Sequence, residues 1–277
     1  MEISESVLPG TRFQLTAAKD PDSGQFSVQQ YRLSQNEHFR LEVKDKKNDI
    51  KLPILIVQKP LDRETARNHS LTLTAVDGGK PPKSGNMNIL INVLDVNDNV
   101  PVFTKDVYSV MLSENSPIKT TVIQVEATDL DEGPNGEVIY SFSNSVSKNI
   151  QNLFYINSLT GEITVKGLID FEKKEEYDIE IRASDKGLPP LTAEKTVVIK
   201  IIDINDNTPE IEVTSFSSSI PEDSRPGTTV ALISVNDLDS ALNGKIICTI
   251  KSSPSISFSV VTVLDLNIQI SPQSIVM

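Results

Sequence analysis

The sequence predicts an all-β protein, built from tandem two-sheet sandwiches in a linear array with the last one incomplete. Three observations carry that expectation. The 277 residues include sixteen prolines and twelve glycines but no tryptophan, and Val, Ile and Thr gather in short runs, a composition that suits strands and tight turns better than helices. Seven such runs separated by Asn, Gly, Ser and Pro turns fall within about a hundred residues, the strand count of a sandwich. The chain also repeats itself. Asp95-Val96-Asn97-Asp98-Asn99 returns as Asp203-Ile204-Asn205-Asp206-Asn207, 203 − 95 = 108 residues later, and each copy is followed by a proline, Pro101 or Pro209. A period of that size is one small domain long.

The elements of the central repeat are expected, in order, at residues 107–112, 121–127, 138–142, 154–156, 162–165, 177–183 and 196–202. In the sixth, Tyr177-Asp178-Ile179-Glu180-Ile181-Arg182-Ala183, the period of two turns Ile179, Ile181 and Ala183 inward. Such a strand set predicts an immunoglobulin-like Greek-key sandwich. The repeat then divides the chain into 1–99 (without its first strand residues), 100–207 (complete), 208–250 (truncated) and a tail, 251–277, that matches nothing upstream. Only 277 − 244 = 33 residues follow Gly244, against 277 − 136 = 141 after its equivalent Gly136. Within the tail, 258–260 and 267–270 are strand-prone but too few to complete a sandwich, which leaves sheet edges unpaired.

Charge and composition exclude several functions. A net charge of −12 argues against gripping nucleic-acid phosphates, which requires a basic face. The single cysteine, Cys248, cannot form an internal disulfide and is expected to be a small buried side chain. The N-terminal residues lack the basic and apolar stretches of a secretory signal, and no run approaches the length that spans a bilayer, so this stretch is not expected to insert into a membrane. Nucleophile-elbow, phosphate-loop, dinucleotide and zinc spacings are absent, and His38 and His69 stand isolated in the sequence, so neither an enzyme nor a small-molecule substrate is expected. A hydrolase using paired carboxylates would need a pocket with acids outside the repeated motifs.

Further acidic strings share the period. Ser4-Glu5-Ser6 aligns with Ser113-Glu114-Asn115 and Pro221-Glu222-Asp223. Asp20-Pro21-Asp22 aligns with Asp129-Leu130-Asp131 and Asp237-Leu238-Asp239. Leu61-Asp62-Arg63-Glu64 aligns with Ile169-Asp170-Phe171-Glu172, and Ala75-Val76-Asp77 with Ala183-Ser184-Asp185. These strings supply only hard oxygen donors, the chemistry of Ca2+ rather than zinc or copper. A single Asp-x-Asn-Asp-Asn could be no more than a turn. Two copies flanked by matching acids favour the ion. An EF-hand loop fails, because its glycine position holds Val100 or Thr208 and its final glutamate position holds Asp106 or Thr214.

The ordered set of strings resembles a cadherin ectodomain, most of all the clustered protocadherins, over about residues 1 to 250. The resemblance implies two calcium-binding junctions. The first would use Glu5, Asp62, Glu64, Asp95, Asn97, Asp98, Asn99, Asp129, Asp131, Asn135 and Asp185; the second Glu114, Asp170, Glu172, Asp203, Asn205, Asp206, Asn207, Asp237, Asp239 and Asn243. Their fifteen carboxylates, taken from 38 acids, leave 38 − 15 = 23 against 26 Lys and Arg, so the excess negative charge is concentrated in these sets. Asp20, Asp22 and Asp77 would serve a junction with a preceding repeat, with Phe26 near the place of the asparagine; the second junction is short of a counterpart to Asp185. Asn68-His69-Ser70 is an N-glycosylation acceptor, so Asn68 is a candidate glycan site. The family further implies homophilic cell–cell adhesion at the extracellular side of the plasma membrane, with a like or related protocadherin on an apposed or the same cell as partner. The alternative is a soluble decoy that modulates adhesion by a longer relative.

Overall fold

The computed structural model describes residues 1–46, 50–217, 219, 221, 223, 225 and 229–249, together with the short strands Ser259–Val260 and Gln273–Val276. Glu222 and the remainder of 251–277, including the expected strand at 267–270, lie outside the described residues. The chain groups into two compact units. One comprises 1–104 with 126–140 and 182–194, and the other 105–125, 141–181 and 195–277.

The first unit contains a two-sheet sandwich. Its strands are β1 (Glu2–Ser4), β2 (Arg12–Gln14), β3 (Val28–Leu33), β4 (Phe39–Asp45), β5 (Lys51–Val57), β6 (Asn68–Asp77) and β7 (Ser84–Leu94). One sheet has the order β1-β7-β6-β3 and the other β2-β5-β4. β5 is buried along most of its length, with Leu55 and Ile56 fully inaccessible. Across β6 and β7 the register sets Leu71 against Ile89 and Leu73 against Met87, so one face of that pair is apolar. Leu55, Leu71, Leu73 and Ile89 join Ile3, Tyr31, Phe39, Leu61, Ile91 and Val93 in one core. Burying each such side chain is worth about 1.5–3 kcal/mol. β1 runs parallel to β7, Ile3 beside Val93, and this pairing delivers Glu5 to the end of the sandwich.

Beyond it come β8 (Val102–Phe103), β9 (Tyr108–Ser113), β10 (Thr121–Gln124), β11 (Ala127–Thr128), β12 (Ile139–Phe142), α1 (Lys148–Leu153), β13 (Phe154–Ile156), β14 (Glu162–Val165), β15 (Glu176–Ser184) and β16 (Thr192–Ile202). In the second unit, β9 lies parallel to β16, Tyr108 opposite Val197 through Ser113 opposite Ile202, and β10, β14 and β13 form an antiparallel sheet. Tyr108, Phe154, Ile163, Ile169, Ile179, Ile181, Val197 and Ile199 are all buried, and Phe154 meets Tyr177 edge-on at 5.4 Å between centroids. Ile179, Ile181 and Ala183 point inward as the alternation predicts, each fully buried. β17 (Glu210–Phe216) and β18 (Thr229–Asn236) continue the chain, with β19 (Ser259–Val260) and β20 (Gln273–Val276) adding to their sheet in the order β17-β18-β20-β19.

Two elements differ from the sequence expectation. The run 121–127 is interrupted, because the register shifts between Thr121 and Ile123 and the Val125 N–H donates to Gly161 O at 3.0 Å. Gly161 has φ of 69°, and a Cβ there would lie 2.2 Å from the Val125 carbonyl oxygen, so only glycine permits the approach. The helix α1 was not expected. Its Ser147 hydroxyl caps the Ile150 N–H at 3.4 Å, a local signal in a segment too short for helical periodicity to register.

Candidate metal centres

The first acidic cup forms inside the first unit where Glu5 and three other separated stretches of chain meet. Glu5, 6% exposed, accepts the Arg63 N–H at 2.7 Å and the Val96 N–H at 2.8 Å, which fixes the Leu-Asp-Arg-Glu string and the Asp-x-Asn-Asp-Asn segment around one carboxylate. The third stretch is the loop Asp129–Gly136. Asn99 donates to Asp131 from its backbone at 3.2 Å and its amide at 2.7 Å, while Asp95 Oδ2 accepts the Glu132 N–H at 3.1 Å and the Asn135 amide at 2.8 Å. Within the loop, Asp129 Oδ1 accepts the Asp131 N–H at 3.0 Å. Glu5, Glu64 and Asp95 thereby bring one oxygen each within 4.8 Å of one another; Glu64, Asp98 and Asp131 do the same.

The second cup, inside the second unit, reproduces this plan. Glu114, 1% exposed, accepts the Phe171 N–H at 2.8 Å and the Ile204 N–H at 2.7 Å. Asn207 donates to Asp239 at 3.2 and 2.7 Å, and Asp203 Oδ2 accepts from the Ser240 N–H, the Ser240 hydroxyl and the Asn243 amide at 2.9, 2.6 and 3.2 Å. Asp237 Oδ1 holds the Asp239 N–H at 3.1 Å. The trios here are Glu114, Glu172 and Asp203, then Glu172, Asp206 and Asp239. The loop of the second cup carries Ala241 at φ 48° where the first has Gly133 at φ 59°, a left-handed backbone that costs a side-chain-bearing residue roughly 1–2 kcal/mol.

Other residues named from sequence lie beside the trios. Asp62 uses its two oxygens to cap the Thr65 N–H and hydroxyl at 3.0 and 2.8 Å, and Asp170 pairs with Lys173 at 2.7 Å. Asp185 caps its own loop through the Gly187 and Leu191 N–H groups, both at 2.9 Å. The Asn97 amide donates to Pro189 O at 2.7 Å, whereas Asn205 is exposed. Sequence reasoning missed Arg63, Glu132 and Ser240 as partners of the cups. Arg63 sat in plain view inside the Leu-Asp-Arg-Glu string, but the aligned string has Phe171, so the repeat gave its side chain no weight.

Carboxylates crowd both cups, and among the described residues only the first has a side-chain cation within its trios, Arg63 beside Glu64 and Asp95, which offsets part of the repulsion. Burial first, then neighbouring carboxylates, push Glu64, Asp98 and Glu172 above the usual carboxylate range; burial also raises Asp129, with Asp131 and Asp185 adding to it. Burial acts the same way on Asp203, but hydrogen bonds from Ser240 and Asn243 outweigh it and hold the group low. Two unit charges about 5 Å apart repel by roughly 3 kcal/mol at an effective dielectric near 20, and each trio contains every pair. Asn97 Oδ1, Asp129 Oδ2, Asp203 Oδ1 and Asp239 Oδ2 are moreover buried without a hydrogen-bond partner among the described residues. Such orphaned acceptors cost about 1–3 kcal/mol each, and an all-oxygen set of them fits a hard divalent cation. The residues present therefore suit calcium.

Residues 1–94 and 108–202 each match the cadherin domain family model. The chain belongs to the cadherin family. This cadherin is 48% identical over 260 residues to protocadherin alpha-7 of Mus musculus, an alignment covering 94% of this chain and 28% of that protein. With protocadherin gamma-C3 of Homo sapiens it shares 47% over 264 residues, covering 95% and 28%. The chain thus spans about a quarter of the length of these curated relatives. Among solved structures it resembles protocadherin gamma B2 extracellular cadherin domains 1–5, with TM-score 0.90 and 40% identity over 100% of this chain and 51% of that one. Protocadherin gamma B7 extracellular domains 1–4 give TM-score 0.87 and 42% identity, over 100% and 64%. The fold is accordingly one of tandem immunoglobulin-like cadherin repeats, in an ectodomain module of an adhesion family that is not one of enzymes.

Three further features are visible in this cadherin. A 270 Å³ cleft lined by Asp20, Asp22, Tyr31 and Lys51 does hold acids outside the two cups, but Asp20 Oδ1 caps the Asp22 N–H at 3.0 Å, the same turn that Asp129 and Asp237 form. His38 and His69 are not isolated in space: their rings lie 4.8 Å apart between centroids, tilted by 48°. Asn68 is exposed at the start of β6, and Cys248 is partly exposed, not buried as expected. No helix among the described residues is long and apolar enough to cross a membrane.

Proposed function

We propose that this chain is a calcium-dependent homophilic adhesion module, displayed on the extracellular side of the plasma membrane and paired with a like or related protocadherin. Its repeats are 1–99, 100–207 and 208–250, and its calcium ligands are the two sets of acids and asparagines named from the sequence, Asp62, Asp170, Asn97, Asn205 and Asp185 included; Asn68 is a glycan site. One observation carries this reading: the same cup is built twice, a buried glutamate gathering three distant stretches, each time with at least one buried carboxylate oxygen that no donor among the described residues satisfies. The relatives support the rest, since they are protocadherins and one solved relative is described as a protocadherin gamma B7 cis-dimer.

Bound calcium supplies two positive charges and accepts about six to eight oxygens, which offsets the mutual repulsion of each cup. The protein's part is to deliver those oxygens. Glu5 and Glu114 pin the backbone of two stretches, Asn99 and Asn207 pull in the third, and Gly136 and Gly244 let that third loop close tightly. Holding these stretches in one arrangement lowers the entropic cost of pairing with another molecule. Sedimentation equilibrium of the purified chain is the test. Self-association at about millimolar calcium, abolished by chelator, is expected; a monomer under both conditions, or equal association in both, would contradict it.

A further inference from the structure

One difference between the two cups lies in the Leu-Asp-Arg-Glu string and its repeat. Arg63 and Phe171 occupy equivalent places, and their backbone N–H groups do the same work, donating to Glu5 and Glu114. Their side chains do not. Arg63 is 1% exposed, and its guanidinium donates from Nε to Asp95 Oδ1 and from Nη2 to Glu64 Oε1 and to Leu130 O, the last at 2.7 Å. Leu130 lies between Asp129 and Asp131, so the arginine ties two stretches of the first cup together. In the second cup Phe171 offers no donor, and Asp203 Oδ1, the counterpart of the oxygen that Nε engages, is buried without a partner among the described residues.

We propose that Arg63 is a built-in counter-cation: it keeps the first cup assembled without metal and competes with calcium for Asp95 and Glu64, whereas the second cup needs calcium to assemble. A guanidinium stays charged at any working pH, and charge-assisted hydrogen bonds in a buried site are the strong ones. Removing one partner of a buried pair leaves the other charge uncompensated, so the contacts of Arg63 are worth most when no ion is present. When an ion enters, the same contacts oppose it, because Asp95 Oδ1 and Glu64 Oε1 must exchange a fixed donor for the metal. The two cups thus respond over different calcium ranges. The second of these consequences rests on the calcium reading, while the first does not.

Two matched amides report on the cups, because the Val96 N–H donates to Glu5 and the Ile204 N–H to Glu114. Hydrogen exchange of the full chain in chelator is expected to be roughly tenfold or more slower at Val96 than at Ile204. In Arg63→Met the Val96 amide is expected to exchange in chelator as fast as Ile204, with core amides of the first unit such as Ile91 unchanged as the folding control. On titration with calcium, the midpoint for Val96 protection is expected to fall severalfold in Arg63→Met. Equal exchange at the two amides of the unaltered chain in chelator would overturn the proposal without any variant. So would a Val96 amide indifferent to Arg63→Met. If calcium changes neither amide, the calcium reading fails and with it the competition, while the chelator comparison still decides whether Arg63 holds the cup.

Discussion

Gly136→Ala is expected to destabilise the first unit by about 3–5 kcal/mol and to abolish metal binding in the first cup. A Cβ at Gly136 would lie 2.2 Å from the Asp131 carbonyl oxygen and 2.9 Å from its carbon, and both are backbone atoms that cannot rotate away. The loop Asp129–Gly136 must therefore open. Overpacking alone costs about 1–3 kcal/mol. Opening also moves Asp131 away from the two Asn99 donors and Asn135 away from Asp95, and bonds to charged groups are worth about 1.5–3 kcal/mol each. Gly244 meets the Asp239 carbonyl oxygen at the same 2.2 Å, so Gly244→Ala is expected to injure the second cup in the same way. Gly85→Ala is the control, because nothing lies within 4 Å of its added methyl group. Urea denaturation of the full chain should show a lowered transition for Gly136→Ala and none for Gly85→Ala. Indistinguishable transitions would mean that the loop does not close as tightly as described.

Glu114→Ala has an effect of similar size and a different cause. The carboxylate is buried and accepts two backbone N–H groups, from Phe171 and Ile204, that belong to stretches far apart in sequence. Truncation leaves both part-buried donors without their acceptor and removes one corner of the Glu114, Glu172 and Asp203 trio. At about 1.5–3 kcal/mol for each charged hydrogen bond, the expected loss is roughly 3–5 kcal/mol at about millimolar calcium, where the second cup is assembled. Glu114→Gln keeps one amide oxygen as acceptor and should lose about half as much. Replacing the exposed Asp178 with alanine should change stability by less than about 0.5 kcal/mol. Denaturation midpoints at about millimolar calcium check the order; a Glu114→Ala chain as stable there as Asp178→Ala would show that the buried glutamate does not organise the cup.

The sequence made the strands and the acids legible for different reasons. Alternation in 177–183 announces its own inward face, because a strand's side-chain period is two, and β13 and β14 begin and end where the turn residues place them. Glu5, Glu64, Asp95, Asp98 and Asp131 could be gathered because each has a partner one repeat away, so matching strings substituted for coordinates. What repetition cannot carry was lost. Arg63 escaped because its repeat partner is a phenylalanine with a backbone that does the same work. The helix α1 and the break after β10 depend on a hydroxyl cap and on one close backbone approach at Gly161, local contacts with no periodic signature. The approach of His38 to His69 is set by the fold, which places two residues 31 positions apart side by side.

The central claim is that the orphaned carboxylate oxygens of the two cups are metal ligands. Isothermal titration of the full chain with calcium tests it most directly, run beside a chain carrying Asp129→Asn and Asp239→Asn, which removes one charge from each cup while keeping its size. Saturable binding at or below about millimolar calcium, lost or much weakened in the double variant, is the predicted result. Absence of heat at millimolar calcium, or the same isotherm in both proteins, would contradict it.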